Sequence, residues 1–484
     1  MPDLLTGFAL GALVLIVSAL ASVVVERAPV SFPMIFLGIG FLLGERGLGV
    51  LHLGLHDPLL EVVATLSLAL VLFLDAVKLQ VAEARRGWVV PALVLGPGAL
   101  LTLVLVAGAA LLVLRVPPLT AALLGAILAS TDPVVLRDVV GDRRIPGAVR
   151  RVLSIEAGTN DVVVLPVVLG LIALAQGRLG GAGEWGAFLA RLLVVGPLVG
   201  FAVGGLGSWL VGWVDRRRPI RREFQALYGL GLVCAAFAAG QGIGGDGFLA
   251  AFAAGLAIVV LNTELCDCFM EYGETTAEMA MLLAFVLFGA VLSGLLAGSH
   301  LGSGMLFAAL VLLVARPLAL LLVLRRARVS RAARAFIGWF GPRGLSSLLL
   351  ALLVVTGGVE GAEPLFAAVG LVVVASVALH GASAGPLAAW YGRLAAEATL
   401  PEERESTAAG LFLGEAEGVP RVTVDELVAR LAGPDPPTVL DVRSGEQYGR
   451  DRSSIPGSVR VPPGEVAAWA AQQTDRRPVV AYCT

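Results

Sequence analysis

The sequence predicts an all-α polytopic membrane domain followed by a short, incomplete α/β module. Three observations carry that expectation. Hydrophobic residues make up 57% of the 484 positions and charged residues only 15%, against roughly 25% charged in an average soluble protein. Apolar runs of about 20 residues, the length that crosses a bilayer core, recur as far as residue 390, and the mean hydropathy is +0.87. Beyond about Arg393 the composition turns small and charged, and stretches with strand and helix patterns alternate. The formal net charge of −2 says nothing about partners, because the charges are confined to loops and the C-terminal stretch. No nucleic-acid partner is expected.

Hydropathy places membrane segments near 4–25, 31–44, 59–79, 88–114, 119–140, 151–175, 187–213, 224–241, 247–262, 278–297, 304–324, 333–356 and 364–390, about thirteen in all. The first lacks a basic n-region and a small-residue cleavage site, so it reads as a retained span and not a signal peptide. The second is short and suits a tilted or half-buried segment. Arg27, Arg85, Arg86, Arg143, Arg144, Arg150 and Arg151 follow odd-numbered spans, as do the run Arg216, Arg217, Arg218, Arg221, Arg222 and the group Arg325, Arg326, Arg328, Arg331. Only isolated cases such as Arg46, Arg115 and Arg178 follow even-numbered ones. The positive-inside rule then puts the N-terminus outside and the C-terminus in the cytoplasm. A loop is expected after the ninth span, carrying Glu264, Asp267 and Glu271. The four cysteines give no disulfide framework: Cys234 falls in a span, Cys266 and Cys268 in that loop, and Cys483 beside the last residue. A lone C-x-C without a second ligand pair is weak evidence for a metal.

Two spans are interrupted. The fifth reads LLGAILASTDPVVLRDVV, with Thr131, Asp132 and Pro133 at its centre; the twelfth reads AFIGWFGPRGLSSLLLALL, with Gly341, Pro342, Arg343 and Gly344. Paired Gly/Pro-interrupted segments in matching positions of two halves are the best sequence pointer to a transporter's binding site. Pro133 removes a backbone donor and clashes with the preceding turn. Carbonyls near Ser130 and Thr131 are then free to face a cation, and the half-helix ends present partial charges. Arg343, always protonated, can offset the negative ends. Ordinary proline kinks with snorkelling charges are the plain alternative, but Asp132 and Arg343 lie too far from their span ends to snorkel.

The sixth span contains SIEAGTNDVVVLPVV. Glu156 and Asn160 are four apart and share a helix face, and Asp161 lies about 100° further round. Ionisable groups at membrane depth are costly and default to functional readings, although Glu156, near the span end, could be partly solvated. Desolvation penalises a bare carboxylate, so a proton and an alkali cation compete for the same oxygens. Competition of that kind, with alternating access, suffices for antiport. No nucleotide-binding motif or ligand-spaced histidine set accompanies it, so ATP-driven pumping has no support, and no cofactor is expected.

The motifs TDPV at 131–134, EAGTND at 156–161, DGFLAAFAAG at 246–255, FVLFGA at 285–290, GPRGLSS at 341–347 and LHG at 379–381 occur in that order. Together they resemble the first family of monovalent cation:proton antiporters, the bacterial and archaeal sodium/proton exchangers, over roughly residues 5 to 390. The resemblance implies a homodimer in the inner membrane, with about thirteen spans per protomer, inverted repeats and two crossed discontinuous helices. It further implies that Asp161 carries the cation and proton. Asp132 and Glu156 would be supporting acids, Thr131 a backbone-carbonyl ligand, and Asn160 a brace between helices. Arg343, with Pro133 and Pro342, would support the crossing, Arg343 pairing with an acid such as Glu156. The Asn160–Asp161 pair resembles the electroneutral branch of the family, which implies one proton exchanged for one cation. Ala157 stands where relatives often have Ser, and a site with one oxygen fewer could admit K⁺ as well as Na⁺ or Li⁺. Arg316-Pro317 has a counterpart in the family and reads as structural. His380 could sense pH, although a lone histidine is more often a packing or capping residue.

In the C-terminal stretch, VTVDELVARLAG suggests an amphipathic helix, TVLDVRS a strand and RRPVVAYC a second strand. LDVRSGEQY, IPGSVRVPPGEV and VVAYC resemble a rhodanese-like domain. The loop that would follow Cys483 is absent, so either the chain is cut in mid-domain or the stretch is a degenerate docking element; an inert thiol is expected and not an active sulfurtransferase. The expected organisation is an exchanger domain at 1–392, a linker at 393–419 and a partial rhodanese-like module at 420–484. A transport-dead membrane sensor signalling through the module is the alternative from another class. A cation channel is disfavoured, because no filter-like carbonyl run repeats.

Overall fold

In the computed structural model, the described residues are 31–78, 88–142, 144–178, 180–261, 263–296, 301–327, 329–402, 419–420, 422–443, 453–473 and 477–482, with isolated positions between 9 and 20 and at 448. Most of the first expected span, most of the linker, and Cys483 lie outside them. The chain separates into two compact units. One comprises 1–140, 152–325 and 337–385; the other gathers 141–151, 326–336 and 386–484.

The first unit is built from helices: α1 (Phe32–Leu43), α2 (Pro58–Lys78), α3 (Val89–Leu114), α4 (Pro118–Ile127), α5 (Pro133–Gly141), α6 (Gly147–Ala175) and α7 (Ala182–Asp215). There follow α8 (Arg222–Gly242), α9 (Gly247–Leu261), α10 (Thr263–Leu295), α11 (Leu301–Arg326), α12 (Arg331–Trp339), α13 (Leu345–Thr356) and α14 (Ala362–Glu397). The start of α6, the first turns of α12 and the end of α14 fall in the second unit. Among the described residues, seven helical segments are long and apolar enough to cross a membrane: α2, α3, α6, α7, Tyr272–Leu295 of α10, α11 and α14.

Two departures from the hydropathy reading have a common cause. The expected loop with Glu264, Asp267, Cys266 and Cys268 is helical, as the first turns of α10, and α14 continues past residue 392 to Glu397. Hydropathy registers where a chain leaves hydrocarbon. A helix ends only where backbone propensity or capping stops it, and neither stretch contains a proline to do so.

Burial sorts the helices. Of the most apolar window of α2, 72% is buried, against 22% for α3 and 17% for α7, so α2 is central and the other two present apolar faces outward. Helices α7 and α9 approach closely because Gly196, Gly200 and Gly204 meet the backbone at Asp246, Ala250 and Ala254, the small-residue spacing that serves where lipid removes a hydrophobic drive. Three long helices contain a wide turn beside a proline: Val94–Gly98 with Pro97, Arg191–Val195 before Pro197 and Val311–Ala315 before Pro317. The wider turn absorbs the missing donor without breaking the helix.

Both interrupted spans are broken where the sequence indicates. Residues 128–132 separate α4 from α5, and 340–344 separate α12 from α13. The two breaks touch, since the Asp132 amide donates to the Pro342 carbonyl at 2.9 Å.

In the second unit, β1 (Ala398–Thr399) pairs antiparallel with β2 (Val419–Pro420). Helix α15 (Val424–Leu431) opens with a complete capping box between Thr423 and Glu426. Strands β3 (Thr438–Asp441), β4 (Val459–Arg460) and β5 (Val479–Tyr482) form a parallel sheet in the order β4-β3-β5, and α16 (Val466–Gln472) precedes β5. Its small core is Leu440, Val442, Val461 and Val466. Asp441 and Arg443 are bonded in parallel at 2.9 and 2.6 Å and are buried. The Arg443 guanidinium holds the Asp441 carboxyl down at about 2. Because folding lowers this pKa, its stabilising effect is complete above about pH 4 and disappears as pH falls toward about 2. Amides of residues 438–443 should therefore lose hydrogen-exchange protection across that window. Asp441→Asn should lower it at neutral pH, since breaking a buried pair costs roughly 3–5 kcal/mol.

Candidate functional site

Four half-helix ends meet at the double break, and each finds a charged partner. Asp132 caps α5, its Oδ1 accepting from the Val134 amide at 2.7 Å, with Pro133 at the first helical position, where its missing donor costs nothing. Its Oδ2 accepts from the Leu345 amide, the first of α13. One carboxylate therefore serves two helix N-termini. The approach requires Gly344, because a Cβ there would overlap the Asp132 carboxylate.

The C-terminal ends carry arginines. Arg343 Nη1 donates to the Ala129 carbonyl at 3.0 Å and to the Ser130 carbonyl, just beyond α4. Arg316 Nη2 donates to the Ile337 and Phe340 carbonyls at the end of α12, at 3.3 and 3.1 Å. The same guanidinium binds Glu156 in parallel, Nη1 to Oε1 at 2.6 Å and Nη2 to Oε2 at 2.9 Å. Gly341 leaves the room for it, since a Cβ at that position would overlap the guanidinium.

These contacts correct two expectations and bear on a third. Glu156 pairs with Arg316 and not with Arg343, because Arg343 is drawn into the carbonyl end of α4 while Arg316 fills the space beside Gly341. The Ser130 carbonyl, expected to face a cation, is taken by Arg343. Asp132 and Glu156, expected as supporting ligands, have both oxygens engaged by protein donors. Arg316, whose partner the sequence left unnamed, is the counter-ion of Glu156.

Asn160 spans the first break, its Nδ2 donating to the Ala129 carbonyl at 3.0 Å and to the Thr131 hydroxyl at 3.1 Å. His380 ties the second. Its Nε2 lies 3.0 Å from the Trp339 carbonyl and its Nδ1 3.1 Å from the Ser376 hydroxyl, which accepts from the Arg343 amide at 2.7 Å. The Nδ1 also lies 2.9 Å from the Ser376 carbonyl, so the two ring nitrogens face two backbone carbonyls. His380 is 3% exposed, and its place is that of a brace between α12 and α14.

Asp161 differs from every other charge at the crossing. It is 2% exposed; Oδ1 accepts from the Ser130 hydroxyl, while Oδ2 accepts no hydrogen bond among the described residues. The Ser346 hydroxyl also reaches this carboxylate. Across from it, on α2, is Asp75, which packs against Gly158 three residues before Asp161 and feels its charge. Asp75 Oδ2 also lacks a hydrogen bond. Ala157 is buried and adds no oxygen. The sequence reading missed Asp75, Ser130 and Ser346. The signal for Asp75 was one acid in the apolar run LVLFLDAVK, where Lys78 makes it resemble an ordinary span-end charge.

The profile described as "Sodium/hydrogen exchanger, transmembrane" matches residues 12–390. The K(+)/H(+) antiporter NhaP of Alkalimonas amylolytica is 26% identical over 390 residues, covering 80% of this chain and 67% of the relative. The K(+)/H(+) antiporter NhaP2 of Shewanella sp. (strain MR-4) is 28% identical over 390 residues, covering 78% and 65%. The chain thus spans about two thirds of the length of these relatives. The sodium proton antiporter MjNhaP1 from Methanocaldococcus jannaschii superposes with a TM-score of 0.67 at 20% identity, over 80% of this chain and 99% of that one, and shares its fold.

Removing one partner of the Glu156–Arg316 pair leaves a bare buried charge. Arg316→Gln should destabilise the protein by roughly 3–5 kcal/mol, and the double variant Glu156→Gln/Arg316→Gln by less; thermal denaturation in detergent measures both. Gly344→Ala should destabilise by about 1–3 kcal/mol through overpacking against Asp132.

Proposed function

Because the chain belongs to the sodium/hydrogen exchanger family, we propose that it exchanges one alkali cation for one proton across a cell membrane by alternating access, with Asp161 as the exchanging group. The observation that carries this reading is the charge balance at the crossing. Each half-helix N-terminus counts roughly half a positive charge and each C-terminus half a negative one. Asp132 offsets two N-termini, Arg343 and Arg316 outweigh two C-termini, and Glu156 cancels the remainder. Among the described residues at the crossing, Asp161, with Asp75 opposite, is left without a cationic or amide partner. A proton or a cation on Asp161 completes the balance, and a site that crosses only when neutralised exchanges one for the other.

On this reading Asp161 Oδ2 and Asp75 Oδ2 are the ligands, the Ser130 and Ser346 hydroxyls and the Thr131 carbonyl supply further oxygens, and Asp132 and Glu156 hold the frame without binding the ion. In a 1:1 cycle Asp75 lends an oxygen without exchanging its own proton. K⁺ is the favoured cation among Na⁺, K⁺ and Li⁺. Ala157 supplies no hydroxyl, and the curated relatives are named K(+)/H(+) antiporters.

The seven long helices, the shorter apolar ones and the two broken pairs fit about thirteen spans in an inner membrane, N-terminus outside and C-terminus cytoplasmic. The outward apolar faces of α3 and α7 suit lipid and a second protomer. The stretch from 420 onward is read as a rhodanese-like module, joined by a linker from 393. Members of this family are exchangers and not enzymes, and the sensor alternative draws on no observation beyond the presence of the module.

In everted vesicles the wild type should dissipate a pH gradient on addition of K⁺, Na⁺ or Li⁺, strongest with K⁺. Asp161→Asn should abolish the response, and full activity in that variant would remove the carrier assignment. Asp75→Ala should raise the cation KM about fivefold, the equivalent of one lost neutral polar contact, with the maximal rate less affected. A membrane-potential dye should stay silent during exchange in proteoliposomes.

A further inference from the structure

Helix α12 is half of the second broken span, and its first turn is completed by a residue from far along the chain. Ser330 precedes the helix, and its hydroxyl accepts from the Ala333 amide at 3.0 Å, an ordinary N-cap. In a full capping box the residue at the third helical position returns a carboxylate to the N-cap amide. Here that position is Ala333, which has none. Glu402 supplies it, with Oε2 accepting from the Ser330 amide and Oε1 from the Ser330 hydroxyl, both at 2.9 Å. Tyr391, near the end of α14, donates its hydroxyl to the same Oε1 and stacks on Phe336 of α12, ring centroids 4.9 Å apart. Glu402 is 9% exposed and Tyr391 fully buried.

Glu402 lies three residues beyond β1, which pairs with β2 immediately before α15 and the parallel sheet. A pull on the C-terminal module therefore reaches Glu402 through two short strands. Glu402 in turn holds one end of a helix whose other end presents the Ile337, Trp339 and Phe340 carbonyls to Arg316 and His380.

We propose that Glu402 is a latch by which the C-terminal module sets the position of α12, and through it the double break. This regulatory role rests on the exchange reading above. The latch is a positioning device: Glu402 touches no ion, and its effect on transport passes through the helix.

Hydrogen exchange on the full-length protein tests it independently of transport. Glu402→Gln keeps the shape but replaces one acceptor with a donor. Exchange should accelerate about tenfold, the weight of a charge-assisted hydrogen bond, in the first turn of α12 and also at residues 337–344. In proteoliposomes of the same variant the cation KM and the pH profile should shift, and Glu402→Asp should restore part of both. If acceleration stops at residue 334 and the KM and pH profile match wild type, Glu402 is only a local cap and the proposal falls. If Glu402→Gln does not fold, Tyr391→Phe, which removes a single donor, is read by the same two outcomes. A wild type without exchange would overturn the functional reading, while the exchange pattern at 337–344 still decides whether the latch reaches the break.

Discussion

Four half-helix ends held together inside an apolar domain constrain everything else in this structure. Each brings backbone donors or acceptors that cannot reach water, and an unmet group there costs several kcal/mol. The chain meets that demand with Asp132 between two N-termini, Arg343 and Arg316 on two C-termini, and Glu156 against Arg316. The two glycines beside them, Gly341 and Gly344, exist so that these side chains can come close. The broken helices are thus locked by full-charge contacts, and this arrangement leaves one carboxylate out. Asp161 owes its chemistry to what its neighbours do for the backbone and not for it.

Much of this was legible in the sequence. The interruptions at Thr131-Asp132-Pro133 and Gly341–Gly344 stood out because proline and charge rarely share a membrane helix, and the acidic motif located Glu156, Asn160 and Asp161. The brace role of Asn160 came with the family resemblance, and its Nδ2 donates to the Ala129 carbonyl and the Thr131 hydroxyl. Pairings did not follow. Two arginines and several acids lie within reach of one another, and which guanidinium takes Glu156 depends on space that only Gly341 leaves. Asp75 stayed hidden because an acid three residues from a lysine near a span end resembles any interfacial pair. Its distinction is the neighbour it faces across the helix packing, Gly158, and no pattern in α2 reveals that.

The same limit explains the C-terminal stretch. Its helix and two strands were readable from alternation and turn residues, and they form α15, β3 and β5. The contact that ties the end of the membrane helices to α12 was not, because Ser330 and Glu402 lie 72 residues apart. It joins an N-cap to a carboxylate that local reading assigns to a loop. Long-range capping of this kind is a tertiary fact that no local pattern announces.

The central claim is that a single carboxylate at the crossing trades a proton for a cation. Calorimetric titration of K⁺ into the purified protein, repeated in buffers of different ionisation enthalpy, counts the protons released per cation bound. The account predicts one proton released by the wild type and none by Asp161→Asn. Release of two protons, or undiminished release in that variant, would contradict it.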